Sequence, residues 1–148
     1  MASDPHDLNR FLEAQQRDYP TALAELKRGR KRTHWMWYIF PQLDGLGFSA
    51  MARKYAIGSL EEARAYLTHP ILGSRLVACA ETLLAIQGQS AHAIFGSPDD
   101  WKLRSSATLF ACASPAGSVF QRLMDQYFQG ERDGKTLRLL GIEGTDPG

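Results

Sequence analysis

The chain has 148 residues, of which 44% are hydrophobic and 22% are charged, and its net charge is +1. This length suffices for one domain whose core needs neither disulfide nor metal. The near-neutral charge excludes an overall field that attracts nucleic acid or membranes, so any basic site must be local. No segment approaches the roughly 20 apolar residues of a membrane span, and the polar start MASDPHDLNR differs from a signal peptide. The two cysteines, Cys79 and Cys112, lie in apolar helical patterns, which indicates reduced thiols in a cytoplasmic protein.

Residues 3–29 carry the signals of two helical segments. SDPHDLNRFLEAQQRDY begins with capping residues and with Pro5, a favourable residue for the start of a helix. Its apolar face carries Leu8, Phe11, Leu12 and Gln15. We expect Pro20 to interrupt this helix. TALAELKRG then predicts a second helical piece that ends at Gly29.

Two further helices are predicted between residues 59 and 88. SLEEARAYL begins with a capping box in which Ser59 and Glu62 satisfy each other's backbone N–H groups. His69-Pro70 ends this helix and starts the next, which closes at Gly88. The apolar stripe of that next helix consists of Ile71, Leu72, Leu76, Cys79, Leu83 and Ile86.

Residues 97–141 predict three more helices. In SPDDWKLRSSATLFACA, Ser97 is the expected cap, Pro98 the first helical residue and Asp100 the partner that completes a capping box. SVFQRLMDQYFQG repeats this design with Ser118, Gln121 and Gly130. DGKTLRLLG predicts a short last helix.

Together these segments predict an all-α fold. Strand alternation is almost absent, and most connections are a few residues long, which favours antiparallel packing of neighbouring helices. We expect one compact multihelical domain over residues 1–148, with frayed ends at 1–4 and 142–148.

The blocks HWMWYIFPQ and KLRSS belong to four longer segments that carry a resemblance to a known family. These segments are residues 7–49, 55–76, 94–110 and 128–141. They resemble the uncharacterised DUF1810 family, also called the Rv1873-like proteins, over nearly the whole chain. The resemblance implies a mostly helical, single-domain fold and no established activity.

Two glycine-containing segments are similar to nucleotide-binding motifs but lack their context. GLGFSA, residues 45–50, fits the loose fingerprint G-x-G-x-x-A, yet no later strands build the βαβ unit. We expect a loop there, whose glycines can present amide donors to an anion. GERDGKT, residues 130–136, is one residue too short between its glycines for a phosphate loop. We expect a helix stop at Gly130 followed by an Asp133 cap.

Metal, cofactor and cysteine chemistry find no support in the sequence. The spacing of the histidines is not that of a metal site, so we expect no metal. The histidines are His6, His34, His69 and His92. We also expect no cofactor. Cys79 and Cys112 are expected to be small core residues rather than nucleophiles.

The strongest candidate site lies in GRKRTHWMWYIFPQ, residues 29–42. Cations supply charge and donors for phosphate, and aromatic faces stack on bases. The candidate ligand-binding residues here are Arg30, Arg32, Trp35, Trp37, Tyr38 and Gln42. On a helical backbone His34, Trp37 and Tyr38 share one face, which leaves the inward positions to Trp35, Met36, Ile39 and Phe40. Alternatively, the whole aromatic run is core and the cations are solvated over the end of the preceding helix.

A second candidate block is KLRSS, which follows Asp99 and Asp100. Its candidate ligand-binding residues are Lys102, Arg104, Ser105 and Ser106. The serine hydroxyls are available for a ligand or for close helix contact, and close packing beside an ordinary charged face is the alternative. If the two blocks meet in space, they form a pocket with cationic, aromatic and hydroxyl walls.

Two functions are compatible with this pattern. The first is a pocket for a small anionic, phosphate- or nucleotide-like ligand, with hydrolase-type chemistry as a further option. His34 is then the candidate catalytic acid or base, since histidine titrates nearest neutral pH, and Asp44 or Asp99 would orient it. The second is a non-catalytic module that binds nucleic acid or an acidic protein partner through the basic segment 27–32. It predicts an exposed basic ridge and salt-sensitive binding. The sequence leaves open whether the protein is an enzyme, and it predicts no membrane partner.

Overall fold

Helices account for all regular secondary structure longer than a single bridge in the part of the chain that the structure describes. This computed structural model describes residues 4–142. Its helices are α1 (Asn9–Lys27), α2 (Met36–Ile39), α3 (Ala50–Lys54), α4 (Leu60–Thr68), α5 (Leu72–Leu84), α6 (Ala91–Phe95), α7 (Asp99–Cys112), α8 (Val119–Phe128) and α9 (Gly134–Leu139). The all-α prediction is confirmed. No helix within residues 4–142 combines the length and apolar character needed to cross a membrane.

Helix α7 lies at the centre of the packing. It contacts α4, α6, α8 and α9, while α5 contacts α1, α4 and α8. Leu103 and every residue from Ser105 to Ala111 are buried, so α7 is enclosed over most of its length. Its apolar side chains belong to one hydrophobic cluster that extends from Leu8 to Met124.

Helix α1 is continuous, so the expected interruption at Pro20 was wrong. Pro20 lies inside the helix, where it removes one backbone hydrogen bond. Phe11 and Gln15 before it, and Ala22 and Leu26 after it, are buried, and this packing holds both halves in one helix. The predicted end at Gly29 is confirmed. Gly29 adopts a φ of +75°, which glycine tolerates better than other residues.

Most predicted helix caps are confirmed. Asp133 accepts from the Thr136 N–H at 3.0 Å, and the serine caps at the starts of α4 and α8 accept from the backbone three residues on. Ser97 is an exception, because the N-cap of α7 is Pro98 and no side chain caps it. Glu62 is another, since its carboxylate accepts from the Gly58 N–H rather than from the Ser59 N–H.

The three shortest helices were not predicted. Helices α2, α3 and α6 span four or five residues each, too few to show an apolar period. Residues 45–49 of GLGFSA form the expected loop, and Ser49 caps α3, which begins at Ala50.

The ends that were predicted to fray lie outside the described residues except at Asp4 and Ile142. The Asp4 carboxylate accepts from the backbone N–H groups of Leu8 and Asn9 at 2.7 and 2.9 Å. These two hydrogen bonds satisfy donors at the start of α1.

Candidate functional site

A buried carboxylate anchors the segment between α1 and α2. Glu25 Oε1 accepts from the backbone N–H groups of Arg32 and Thr33 and from Trp35 Nε1, at 2.7, 3.0 and 2.9 Å. Its Oε2 accepts from the Thr33 hydroxyl at 2.6 Å. Burial alone would raise the pKa of Glu25, but these hydrogen bonds stabilise the carboxylate and lower the pKa to about 2. Glu25 therefore fixes the position of the backbone at Arg32, from which the Arg32 side chain extends.

The two candidate blocks meet in space. The Lys31 N–H donates to the Ile94 carbonyl oxygen at 2.7 Å, and Lys31 Nζ lies 2.8 Å from Asp99 Oδ2. Lys102 Nζ lies 3.5 Å from Asp99 Oδ1 and 5.5 Å from the centre of a Trp37 ring. Asp99 thus links a lysine from each block, and Lys102 of the second block lies over the Trp37 indole of the first.

A cavity of about 380 Å³ opens at this junction. We call it the basic pocket. It is lined by Lys31, Arg32, His34, Met36, Trp37, Phe95, Ser97, Pro98, Asp99 and Lys102. Four of the candidate residues from the sequence are therefore together, namely Arg32, His34, Trp37 and Lys102. Arg30 is exposed and does not line this cavity, and neither does Asp44.

Trp35 and Tyr38 are core residues, which corrects their assignment as stacking surfaces. Trp35 is 1% exposed, and its indole N–H is used by Glu25. Tyr38 is also buried, and its hydroxyl donates to Asp18. Burial and this carboxylate raise the pKa of Tyr38. The interpretation that the aromatic run is core thus holds for these two residues, while the half-buried Trp37 faces the pocket.

Arg104 and Ser105 of the second block form hydrogen bonds with backbone carbonyl oxygens. Arg104 Nε and Nη2 donate to the carbonyl oxygens of Glu131 and Arg132, both at 3.0 Å. Ser105 Oγ donates to the Trp101 carbonyl oxygen at 3.2 Å. Ser106 is buried, and its hydroxyl has no hydrogen-bond partner among residues 4–142. A side chain enclosed in this way offers no surface to a ligand, so the assignment of Ser106 to a binding site was wrong.

A second cavity of about 380 Å³ lies on the other side of Lys102. We call it the aromatic pocket. It is lined by Gln42, Leu46, Gly47, Phe48, Ser49, Ala52, Pro98, Trp101, Lys102, Ser105, Asp133 and Lys135. Sequence reasoning named Gln42, Lys102 and Ser105 but missed Phe48 and Trp101. Single aromatic residues in short segments carry no sequence signal that separates exposed positions from buried ones.

The fold and these pockets define an all-α protein with two adjoining pockets beside the N-terminal half of its central helix. The chain belongs to the family described as protein of unknown function (DUF1810), whose model matches residues 5–140. It is similar to the crystal structure of the conserved hypothetical protein Rv1873 from Mycobacterium tuberculosis, with 51% sequence identity and a TM-score of 0.92. That match covers 95% of this chain and 100% of the other. No curated protein matches the chain.

Proposed function

We propose that this protein binds a small anionic ligand, of the size of a phosphate ester, in the basic pocket. The observation that carries the proposal is the convergence of Arg32, His34 and Lys102 around the indole of Trp37 in one cavity. Cationic side chains and an aromatic wall in a concave site are the groups that recognise a phosphate attached to an organic body.

The local charge supports an anionic ligand. Asp99 contacts both Lys31 and Lys102. Its single negative charge neutralises only one of these two lysines, so the group of three side chains has a net charge of +1. Arg32 is exposed and has no ion pair within residues 4–142, so its guanidinium is available to a ligand. A guanidinium fork can donate two parallel hydrogen bonds to a phosphate.

His34 fits a binding role better than a catalytic one. It is exposed and lines the basic pocket. A catalytic histidine is usually oriented by a third group, and no side chain hydrogen-bonds to the His34 ring within the described residues. Both Asp99 oxygens contact lysines. We therefore assign His34 as a hydrogen-bond donor to the anion.

Titration calorimetry with inorganic pyrophosphate and ribose 5-phosphate tests the proposal. We expect binding to wild type and a loss of about ten- to hundredfold in affinity for Arg32→Ala, because a hydrogen bond to a charged group contributes about 1.5–3 kcal/mol. The backbone N–H that Glu25 binds stays in this variant, so the fold is kept. Arg64→Ala, on an exposed position of α4, is the matched control. Equal affinities of wild type and Arg32→Ala, or no binding to either compound, would refute the proposal.

A second candidate function is favoured by the exposure of the basic segment 27–32. Lys27, Arg28, Arg30 and Arg32 are exposed, whereas Lys31 turns inward to Asp99. An exposed cationic ridge can bind nucleic acid or an acidic protein surface. The double variant Arg28→Ala/Arg30→Ala separates the two candidates. It should weaken salt-sensitive oligonucleotide binding if the ridge is the site, and it should leave pyrophosphate binding unchanged.

A further inference from the structure

The aromatic pocket adjoins the basic pocket. Both cavities are lined by Pro98 and Lys102, so these two residues form a shared wall between them. Lys102 Nζ is held near Asp99 and over Trp37 on the basic side, while the residue also forms a wall of the aromatic side. A ligand bound to Lys102 in the basic pocket is therefore within reach of the aromatic pocket.

Two exposed aromatic rings line the aromatic pocket. Phe48 is 69% exposed and Trp101 is 58% exposed, whereas most aromatic side chains of this protein lie in the core. A cation lies over each ring. Arg104 Cζ is 5.4 Å from a Trp101 ring centre, and Lys135 Nζ is 5.9 Å from the Phe48 ring centre. Since Arg104 is itself held by two carbonyl oxygens, the Trp101 ring is supported in an exposed position. Such rings are suited to stacking on a flat ligand.

The polar groups of this pocket favour a ligand with N–H donors. Asp133 Oδ2 accepts from the N–H and the hydroxyl of Thr136. Its Oδ1 accepts no hydrogen bond within residues 4–142, and neither does the side-chain amide oxygen of Gln42. A carboxylate oxygen and an amide oxygen beside aromatic rings match an amino group on a heteroaromatic ring, because both accept from N–H groups.

We infer that the aromatic pocket binds an amino-bearing heteroaromatic base, and that the ligand is a nucleoside monophosphate whose phosphate lies in the basic pocket. The inference rests on the proposed function, because it places the anionic group of the ligand among Arg32, His34 and Lys102. Phe48 and Trp101 stack on the base, and Asp133 Oδ1 accepts from its amino group.

Calorimetric titration with AMP, GMP, CMP, IMP, UMP and ribose 5-phosphate tests this inference. At least one of the three amino-bearing nucleotides should bind about tenfold more tightly than ribose 5-phosphate, because stacking contributes about 1–3 kcal/mol per base. It should also bind more tightly than IMP or UMP, which lack the amino group. Phe48→Ala and Trp101→Ala should abolish this gain in affinity of the nucleotide over ribose 5-phosphate. Ile71→Ala, which removes an exposed apolar side chain on the N-terminal side of α5, should keep it.

The outcomes separate the two proposals. If all the nucleotides bind as ribose 5-phosphate does, and Arg32→Ala weakens them equally, the inference is refuted and the anion site stands. If the gain from the base persists in both Phe48→Ala and Trp101→Ala, the base lies elsewhere and the inference is also refuted. If none of the phosphate compounds binds, both proposals fail.

Discussion

Trp35 Nε1 donates a hydrogen bond to Glu25 Oε1 at 2.9 Å, and both side chains are buried. Glu25 belongs to the last turn of α1, and its carbonyl oxygen also accepts from the Arg30 N–H at 3.1 Å. One residue therefore closes the end of α1 and fixes the segment that leads into α2. The positions of Arg32 and His34 at the basic pocket depend on this anchor.

Glu25→Gln should destabilise the protein. The amide oxygen can keep the three N–H donors that Oε1 binds, but its NH₂ group then faces the Thr33 hydroxyl, which loses its acceptor, and the other three hydrogen bonds lose their charged acceptor. Such a loss costs about 1–3 kcal/mol, and we expect the free energy of unfolding in urea to fall by about that amount. Glu81→Gln, on an exposed position of α5, controls for the change of charge. A Glu25→Gln variant as stable as this control would show that the anchor contributes little.

The contribution of Glu25 should depend on pH. Its pKa falls from 4.5 to about 2 on folding, so the folded state holds the carboxylate more strongly than the unfolded state. This stability is present above pH 4.5 and is lost as the pH falls toward 2. Urea unfolding of wild type and Glu25→Gln between pH 3 and pH 7 checks this. We expect the difference in the free energy of unfolding between wild type and Glu25→Gln to narrow below about pH 4.5. A difference that stays constant with pH would contradict this prediction.

Asp99→Asn should strengthen anion binding and weaken the fold. The carboxylate contacts Lys31, whose side chain is 6% exposed, and Lys102. Removing its charge leaves both cations for the ligand, which should raise the affinity for pyrophosphate about fivefold. Loss of the ion pair and of a favourable charge at the start of α7 should cost about 2 kcal/mol.

Asp100→Asn is the matched control for this prediction. Asp100 is in the same helical turn but lies 3.3 Å from His92 Nδ1 and does not line the basic pocket. Calorimetry should show unchanged affinity for Asp100→Asn. Equal or weaker binding by Asp99→Asn would place the anion away from the two lysines.

Gly73→Ala should disrupt the contact between α4 and α5. Gly73 is buried, and a Cβ added there would lie 2.0 Å from the Leu67 carbonyl oxygen, so the backbone of one helix must move. We expect a loss of about 3 kcal/mol in the free energy of unfolding. In Gly134→Ala the added Cβ meets the flexible end of Arg138 at 3.3 Å. That variant should be as stable as wild type or slightly more stable, since alanine favours helices by about 1 kcal/mol over glycine. A small effect of Gly73→Ala in thermal or urea unfolding would indicate that α4 and α5 separate easily.

The two thiols should react slowly in the folded protein. Burial raises the pKa of Cys79 to about 12 and also raises the pKa of the half-buried Cys112. The prediction that Cys79 is a core residue is confirmed. Since the thiolate is the reactive form, Cys112→Ala should react with a colorimetric disulfide reagent at pH 8 only as the protein unfolds. Fast labelling of this variant would show that Cys79 is accessible.

The helices and their ends were largely readable from the sequence. Ser118 before α8, Asp133 before α9 and Gly29 after α1 act on backbone groups within a few residues, so their effect is local. The apolar stripe of α5 is also a local pattern, and Leu72, Leu76 and Leu83 are buried as expected, whereas Ile71, which was assigned to the same stripe, is exposed at the start of the helix. Pro20 was misjudged because its local cost is offset by packing from distant residues, which no local pattern shows.

The arrangement of the candidate site was decided by tertiary structure. The sequence alone identified Arg32, His34, Trp37 and Lys102 as candidates, but it left open whether residues 29–42 meet residues 99–106. The Lys31–Asp99 contact joins them across more than 60 positions, and the burial of Trp35 depends on an acceptor supplied by α1. Trp35 and Trp37 lie two positions apart and have the same chemistry, so only their surroundings determine which packs in the core and which faces a pocket. Local hydrogen bonds and apolar periods define helices, whereas the position of a side chain at a site depends on contacts with residues far away in the chain.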